Sequence, residues 1–362
     1  MTNKERFKRT LLCQETDRAP FNFYFGPWGE TLDRWQKEGL ASRNWTAPFG
    51  FDPGVRSAPV NYGPVPGFEH KLIEKKEYTQ ITTNHFGAVQ ETSLTGPTIP
   101  KYLQFPVTSI DEWVKYKKER FNSDSPERFP DNFKAVVEEL NNYDGAVQLG
   151  GYPYGVFGTI RELMGLENLM YAFYDDPELV RTVMNDLTDF WIAIYEKACV
   201  YYGLKVDIIH IWEDMSGKQG SLISPALMYE FMTPNYRKIR EFADKHNIHT
   251  LALDTDGNVD NIIQVYMDGG INCLMPFEVV AGCDVLEYRR KYPNLCIIGG
   301  VDKLELARGK AAIDREIERL TPMFDYPGYI AMPDHLPHPD ISWEDFSYFC
   351  NRLKELIFSK KY

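Results

Sequence analysis

The amino-acid sequence predicts an α/β fold, a (β/α)8 TIM barrel with an N-terminal β-hairpin insertion. Short apolar runs alternate with helical patterns through most of the chain, and several runs end in Asp, Glu or His. Residues 68–95 instead alternate polar and apolar side chains around a turn near residues 84–87, which predicts an antiparallel hairpin. We therefore expect a single barrel domain over residues 1–362, and an open doubly wound sheet is the alternative.

The predicted strands follow one another with helices between them. An aromatic strand is expected at residues 21–25, and residues 146–151 (AVQLGG) form the next one. Five later apolar runs, separated by helical patterns, are predicted as parallel strands. These are residues 206–212, 249–253, 271–276, 295–300 and 329–333. The eighth strand of the barrel would come from residues 55–60 or be distorted.

Acidic or histidine side chains follow each of the last five strands at the point where the strand ends. Glu213 follows the first of them, Asp254 and Asp256 the second, and His335 the last. Because the carboxyl ends of barrel strands meet at one face, we expect a carboxylate-lined mouth that holds the active site. Helix capping and turn formation are the alternative roles for the two aspartates.

Aromatic residues also follow the early strands, and they are candidates for the wall of a pocket that binds a flat aromatic substrate. They are Tyr24, Trp28, Tyr152, Tyr154, Phe157 and, beside Glu213, Trp212. For each residue alone, packing in the core is an equally good interpretation. His210 lies in the middle of a strand and could point into the barrel.

The composition excludes several classes of function. A net charge of −12 argues against nucleic acids and anionic membranes as partners, because both require a basic surface. No apolar run approaches the length of a membrane span, and the first residues lack the apolar region of a signal peptide. The six cysteines are widely spaced, which favours reduced thiols. We therefore expect a cytoplasmic protein.

Several motifs resemble the uroporphyrinogen decarboxylase superfamily, and they extend over nearly the whole chain. They are DRAP (17–20), RELMG (161–165), DPEL (176–179), ISP (223–225), IGGVD (298–302) and PDHLPHPD (333–340). The resemblance implies a (β/α)8 barrel, and a dimer is plausible. It also implies one of two activities: decarboxylation in the haem pathway, or zinc-dependent methyl transfer together with corrinoid proteins.

One departure from the family pattern disfavours porphyrinogen decarboxylation. The decarboxylase has an arginine-rich motif after its first strand, where this chain reads YFGPWG at residues 24–29, without any arginine. A substrate with many carboxylates would then face Glu213, Asp254 and Asp256 without guanidinium partners. Like charges in a closed site cost several kcal/mol, so the resemblance favours the methyltransferase branch.

The methyltransferase branch implies a metal site. Its zinc ligands, a His-x-Cys pair and a later Cys, correspond by position to Asp254, Asp256 and His335, and Glu213 would complete or flank the site. These oxygen and nitrogen ligands suit zinc but would also accept another divalent metal. Such a metal would act as a Lewis acid on a donor oxygen, and Glu213, His335 or Tyr154 would serve as catalytic residues.

The sequence therefore predicts a methyltransferase that moves a methyl group from a small, methoxylated aromatic donor to a corrinoid protein. Two alternatives remain open at this stage. One is a cofactor-free decarboxylase that uses His335 and Asp256 as proton donors. The other is a non-catalytic module that binds a corrinoid partner or a ligand.

Overall fold

The computed structural model describes residues 1–95 and 100–360 of the chain. Strands and helices are numbered in chain order within these residues. The strands are β1 (Val55–Ser57), β2 (Leu72–Lys75), β3 (Thr79–Thr83), β4 (Val89–Ser93), β5 (Lys101–Gln104), β6 (Ala146–Gly150), β7 (Ile208–Trp212), β8 (Ser216–Gly217), β9 (Gly220–Ser221), β10 (Thr250–Asp254), β11 (Cys273–Met275), β12 (Cys296–Ile298) and β13 (Tyr329–Ile330).

A parallel sheet forms the centre of the molecule. Its strand order is β1-β6-β7-β10-β11-β12-β13, and every neighbouring pair runs parallel. Apart from the edge strand β1, which is largely exposed, the strands are almost wholly buried apolar runs, as expected where helices cover the outer face of a parallel sheet. The sheet curls into a half-barrel, so the predicted (β/α)8 TIM-barrel-like fold is confirmed. The candidate strand at residues 55–60 is present as β1.

The predicted aromatic strand at residues 21–25 is wrong, although the segment lies where a barrel strand would. The backbone N–H of Phe21 donates to the Asp52 carboxylate (2.9 Å), and that of Tyr24 donates to the thioether of Met332 (3.2 Å). Asp52 precedes β1 and Met332 follows β13. Because side chains bind these backbone groups, the segment lies between the two edge strands without a regular ladder.

Helices connect successive strands and cover the sheet. They are α1 (Asn3–Leu11), α2 (Gly29–Lys37), α3 (Ile110–Arg120), α4 (Phe133–Asn141), α5 (Val156–Met164), α6 (Leu166–Asp175), α7 (Pro177–Glu196), α8 (Pro225–Leu227), α9 (Thr233–Lys245), α10 (Ile263–Asp268), α11 (Val285–Lys291), α12 (Lys303–Leu306), α13 (Lys310–Leu320) and α14 (Trp343–Ser359). Short π-helical segments follow α7 and α8 (Lys197–Tyr201 and Met228–Met232). Single 3₁₀ turns lie at Pro126–Arg128, Val279–Ala281 and Thr321–Asp325.

The longest helix, α7, shows how the sequence sets these boundaries. The Asp176 side chain accepts a hydrogen bond from the backbone N–H of Leu179, and Pro177 occupies the first helical position. Both features favour a helix start at this point, because they satisfy or remove N–H groups that have no partner within the helix.

The insertion predicted at residues 68–95 is an antiparallel sheet with the order β2-β3-β4-β5. Its central turn lies at residues 84–87, as predicted, where the side chain of Asn84 accepts hydrogen bonds from two later backbone N–H groups. Strand β5 lies beyond the predicted boundary. The Tyr102 hydroxyl of β5 donates to Glu162 of α5 (3.2 Å), so this sheet contacts the barrel.

All six cysteines are free thiols, and four of them are buried. This agrees with the prediction of reduced cysteines. Within the described residues, no helix has both the length and the apolar character that a membrane span requires.

Candidate active site at the carboxyl ends of the strands

The parallel register aligns the carboxyl ends of β6, β7 and β10. Gly150 pairs with His210, and Trp212 pairs with Asp254. The residues that follow these three strands therefore share one face of the sheet, as the sequence predicted.

A chain of hydrogen bonds fixes the orientation of His210. The Tyr24 hydroxyl donates to the Gln148 side-chain carbonyl, and the Gln148 amide donates to the Ser57 hydroxyl (2.8 Å). The Tyr24 oxygen also lies 3.3 Å from His210 Nδ1. Because the single Tyr24 proton is used by Gln148, Nδ1 must carry the hydrogen and donate to Tyr24. His210 Nε2 is therefore the nitrogen with the free lone pair.

Asp254 faces this lone pair from the neighbouring strand. Its carboxyl oxygen lies 3.8 Å from His210 Nε2, which is buried and has no hydrogen-bond partner among the described residues. Burial lowers the pKa of His210 to about 4. Burial, together with the charges of Asp256 and Asp214, raises the pKa of Asp254 well above its usual value. A neutral imidazole therefore lies beside a carboxyl group that favours its protonated form.

His335 and Asp256 form a second pair nearer the surface. His335 Nε2 lies 3.6 Å from the Asp256 carboxylate, and the two side chains are 21% and 36% exposed. The indole of Trp28 stacks on the His335 ring with a centroid distance of 6.1 Å and an interplanar angle of 26°. His338 contacts the same ring edge-on. This pair is accessible from the mouth of the barrel.

A buried ion network joins the loops beneath the second pair. Lys303 Nζ lies 3.2 Å from Glu278 and 3.7 Å from Asp334, and the Asp334 side chain is fully buried. Burial raises the pKa of Asp334 to about 6 in spite of the neighbouring ammonium. The network therefore combines one cation with two carboxylates, of which Asp334 is fully buried and Glu278 is partly exposed.

This network determines where the second pair lies. Glu278 accepts a hydrogen bond from the backbone N–H of Gly257 (3.0 Å), the residue after Asp256. Asp334 is the residue before His335. Lys303 therefore connects, through two carboxylates, the loops that carry both members of the pair.

Replacing Lys303 with methionine is expected to lower the free energy of unfolding by about 2 kcal/mol, because the fully buried Asp334 and the partly buried Glu278 lose their cation. The loss is moderate since Asp334, with a pKa of about 6, takes up a proton readily. Urea unfolding measures the change. Lys310→Met, which removes an exposed partner of Glu344, is the matched control and should leave the free energy of unfolding nearly unchanged. Equal effects of the two substitutions would contradict a role for this network.

Glu213 does not have the surroundings of a metal ligand or a mouth-facing acid, and we correct that prediction. Its side chain is fully buried and accepts hydrogen bonds from the backbone N–H groups of Val156, Phe157 and Gly158 and from the Tyr236 hydroxyl. These four donors fill the lone-pair positions of a carboxylate. Glu213 therefore holds the N-terminus of α5 against β7.

A cavity of about 620 Å³ opens beside His210 and Gln148. Three of the predicted substrate-contacting or catalytic aromatics, Tyr24, Tyr152 and Tyr154, line it. Tyr152 is 74% exposed and marks the rim, while Tyr154 lies deeper. Burial raises the pKa of Tyr154, which makes it a weaker proton donor than a phenol in water. The cavity therefore has a partly aromatic wall, and substrate binding by these residues stays a prediction.

The other predicted aromatic contacts lie elsewhere. Phe157 is fully buried at the start of α5, so its prediction as a pocket residue is wrong. Trp212 is 8% exposed and packs edge-on against Tyr152, outside the cavity wall. Trp28 is part of the second pair through its contact with His335. Phe157 shows that an aromatic residue shortly after a strand can lie at the start of the next helix and face the core instead of the cavity.

Sequence reasoning missed several residues of the site. Gln148, Tyr62 and Lys303 were not predicted, and His210 was only a weak candidate. Gln148 and His210 could have been identified from the sequence as site residues. Each is a polar residue inside an otherwise apolar buried strand, where it needs a specific hydrogen-bond partner. Tyr62 and Lys303 have no such pattern.

The predicted metal ligands do not form one group. Asp254 pairs with His210, Asp256 pairs with His335, and Glu213 binds backbone N–H groups. In residues 1–95 and 100–360, no three His, Cys, Asp or Glu side chains converge as a metal site. Structural and catalytic zinc sites usually have three or four protein ligands, so this arrangement does not fit the predicted ion.

Comparisons with known proteins give one solved structure whose similarity supports the fold. A solved methyltransferase from Methanosarcina mazei is 16% identical, with a TM-score of 0.58, and the match covers 98% of this chain and 99% of that one. An apo 3-keto-D-glucoside 4-epimerase from E. coli is 11% identical over 70% of this chain and 95% of its own, with a TM-score of only 0.37. No curated protein sequence matches. The family model for uroporphyrinogen decarboxylase (URO-D) matches residues 88–356. The chain therefore belongs to the uroporphyrinogen decarboxylase family.

Proposed function

We propose that this protein is a methyltransferase that takes a methyl group from a small, methoxylated aromatic donor and passes it to a corrinoid protein. The observation that carries this proposal is the aromatic-walled cavity beside His210, with the carboxyl of Asp254 on the next strand 3.8 Å from His210 Nε2 and its pKa raised by burial. Family membership and the methyltransferase with a similar fold support the reaction class.

The proposed chemistry follows from what each side chain can do. The tyrosine rings of the cavity hold the flat donor ring by stacking and edge contacts. Asp254 does not line the cavity, so its proton reaches the donor through His210, which does. His210 gives the Nδ1 proton to the ether oxygen as the methyl–oxygen bond breaks and takes the Asp254 proton at Nε2. The donor leaves as a neutral phenol, and Asp254 becomes a carboxylate that regains a proton from solvent. The corrinoid, carried by a partner protein, supplies the nucleophile that accepts the methyl group.

The predicted divalent metal has no part in these steps. Its Lewis-acid role would require Asp254, Asp256, His335 and Glu213 to act as one ligand set, and their side chains are engaged in separate contacts. In the proposed reaction the acid form of Asp254 activates the leaving oxygen through His210 instead.

The alternative, a cofactor-free decarboxylase, needs a cation to bind the substrate carboxylate. The two cations nearest the predicted site residues are already paired: Lys303 with Glu278 and Asp334, and Arg161 with Asp214. A neutral methylated donor therefore suits this mouth better than an acid.

The proposal is tested with 2-methoxyphenol as donor and free cob(I)alamin as acceptor, under anaerobic conditions. Enzyme-dependent loss of the Co(I) absorbance together with formation of catechol is the expected result. Extensive dialysis against a chelator should leave the rate unchanged, because no step uses a metal. Release of carbon dioxide from a small aromatic acid, without methyl transfer from any methoxylated donor, would overturn the proposal in favour of the decarboxylase.

A further inference from the structure

The cavity beside His210 is uncharged. Among the described residues that line it, none is Lys, Arg, Asp or Glu. Its titratable groups are tyrosines and His210. Burial raises the pKa values of Tyr24, Tyr62 and Tyr154 and lowers that of His210, so all of them are neutral near pH 7.

A buried cation behind this wall is engaged in hydrogen bonds to backbone carbonyls of the protein. The guanidinium of Arg128 lies behind Tyr154 and donates to the backbone carbonyls of Asn61, Gly63, Arg120 and Asn122. Its side chain is completely buried, and four of its five N–H groups donate to these carbonyls. An anion in the cavity would lose hydration without gaining a cation, which is costly, whereas a neutral ring gains contacts with the aromatic wall.

We propose that this cavity selects uncharged methyl donors and rejects methoxylated rings that carry a carboxylate. The inference rests on the proposed function and narrows its substrate class to neutral methoxyarenes. It also agrees with the role of Asp254, which protonates the departing oxygen through His210 so that the product is neutral in a cavity without cations.

Isothermal titration calorimetry with the full chain at pH 7.5 tests this inference. The two ligands are 3-methoxybenzyl alcohol and 3-methoxybenzoate, which have similar size and differ in charge. The alcohol is expected to bind at least about 10-fold more tightly, which corresponds to about 1.4 kcal/mol.

A variant that adds a cation to the wall locates the effect in this cavity. Asn61 lines the cavity and is exposed, so a longer side chain is tolerated there. Asn61→Lys is expected to shift the affinity ratio toward the benzoate by about 5-fold or more, because it adds an ion pair of roughly 1 kcal/mol. Asn61→Met, which has a similar length and no charge, should leave the ratio as in the wild type.

Each outcome of the titrations decides the inference. Equal affinity for the alcohol and the benzoate overturns it and leaves the methoxylated donor class of the proposed function intact. A ratio that Asn61→Lys and Asn61→Met change equally also overturns it, because the charge of the wall would then have no effect. Binding of neither ligand overturns the donor class itself and this inference together with it.

Discussion

Replacing Asp254 with asparagine is expected to slow methyl transfer from 2-methoxyphenol to cob(I)alamin by about 10²–10⁴-fold, the usual contribution of a general acid. Asparagine has nearly the same shape and can still donate a hydrogen bond to His210 Nε2, but it has no proton to transfer. Donor binding, measured by calorimetry, should therefore change little while the turnover number falls. Asp189→Asn is the matched control, because Asp189 is an exposed aspartate of α7 that pairs with Lys238.

The pH dependence of the wild-type turnover number is a second test of the role of the Asp254 carboxyl. Burial raises the pKa of Asp254, so the required acid form is fully present at low pH and is lost as the pH rises through that raised pKa. The turnover number of the wild type should fall on this alkaline side, and the residual turnover of Asp254→Asn should lack the same step. An Asp254→Asn enzyme that turns over as fast as Asp189→Asn would refute the assignment.

The fold could be predicted from the sequence because it depends on local patterns. Apolar runs that end in turn residues and alternate with helical periodicity identify buried parallel strands, and six of the seven predicted strands are present in the parallel sheet. The exception, residues 21–25, has a strand-like composition. Its backbone groups bind the side chains of Asp52 and Met332, and no local pattern reveals partners so distant in the chain.

The site was only partly predictable for the same physical reason. That Asp254 and Asp256 lie at a strand end follows from the sequence. Their division into two separate pairs depends on the neighbouring element that each aspartate faces. Asp254 faces His210 of β7, and Asp256 faces His335 after β13. Phe157 shows most clearly what the sequence cannot predict. An aromatic residue after a strand can face either the cavity or the core, and the local sequence pattern is the same in both cases.

Replacing Glu213 with glutamine is expected to lower the free energy of unfolding by about 4 kcal/mol. The amide group would direct its own N–H bonds at the N-terminus of α5, where backbone N–H groups now donate to the carboxylate. About two buried donors would then lose their acceptor, at about 1–3 kcal/mol each. Urea unfolding followed by circular dichroism measures the loss. Tyr236→Phe removes a single donor to Glu213 and should cost only about 1 kcal/mol.

The pH dependence of stability tests the same site independently. Burial raises the pKa of Glu213 to about 7, above its unfolded value of 4.5, despite four donors that favour the carboxylate. The native state therefore binds the proton more tightly than the unfolded chain does. This contribution to stability is fully present below about pH 4.5 and is lost as the pH rises through about 7. Glu213→Gln cannot titrate, so the difference in stability between wild type and variant should shrink between pH 5 and pH 8. A variant as stable as Tyr236→Phe, with an unchanged pH slope, would mean that Glu213 does not anchor α5 and would reopen the mouth-facing role that the sequence first indicated.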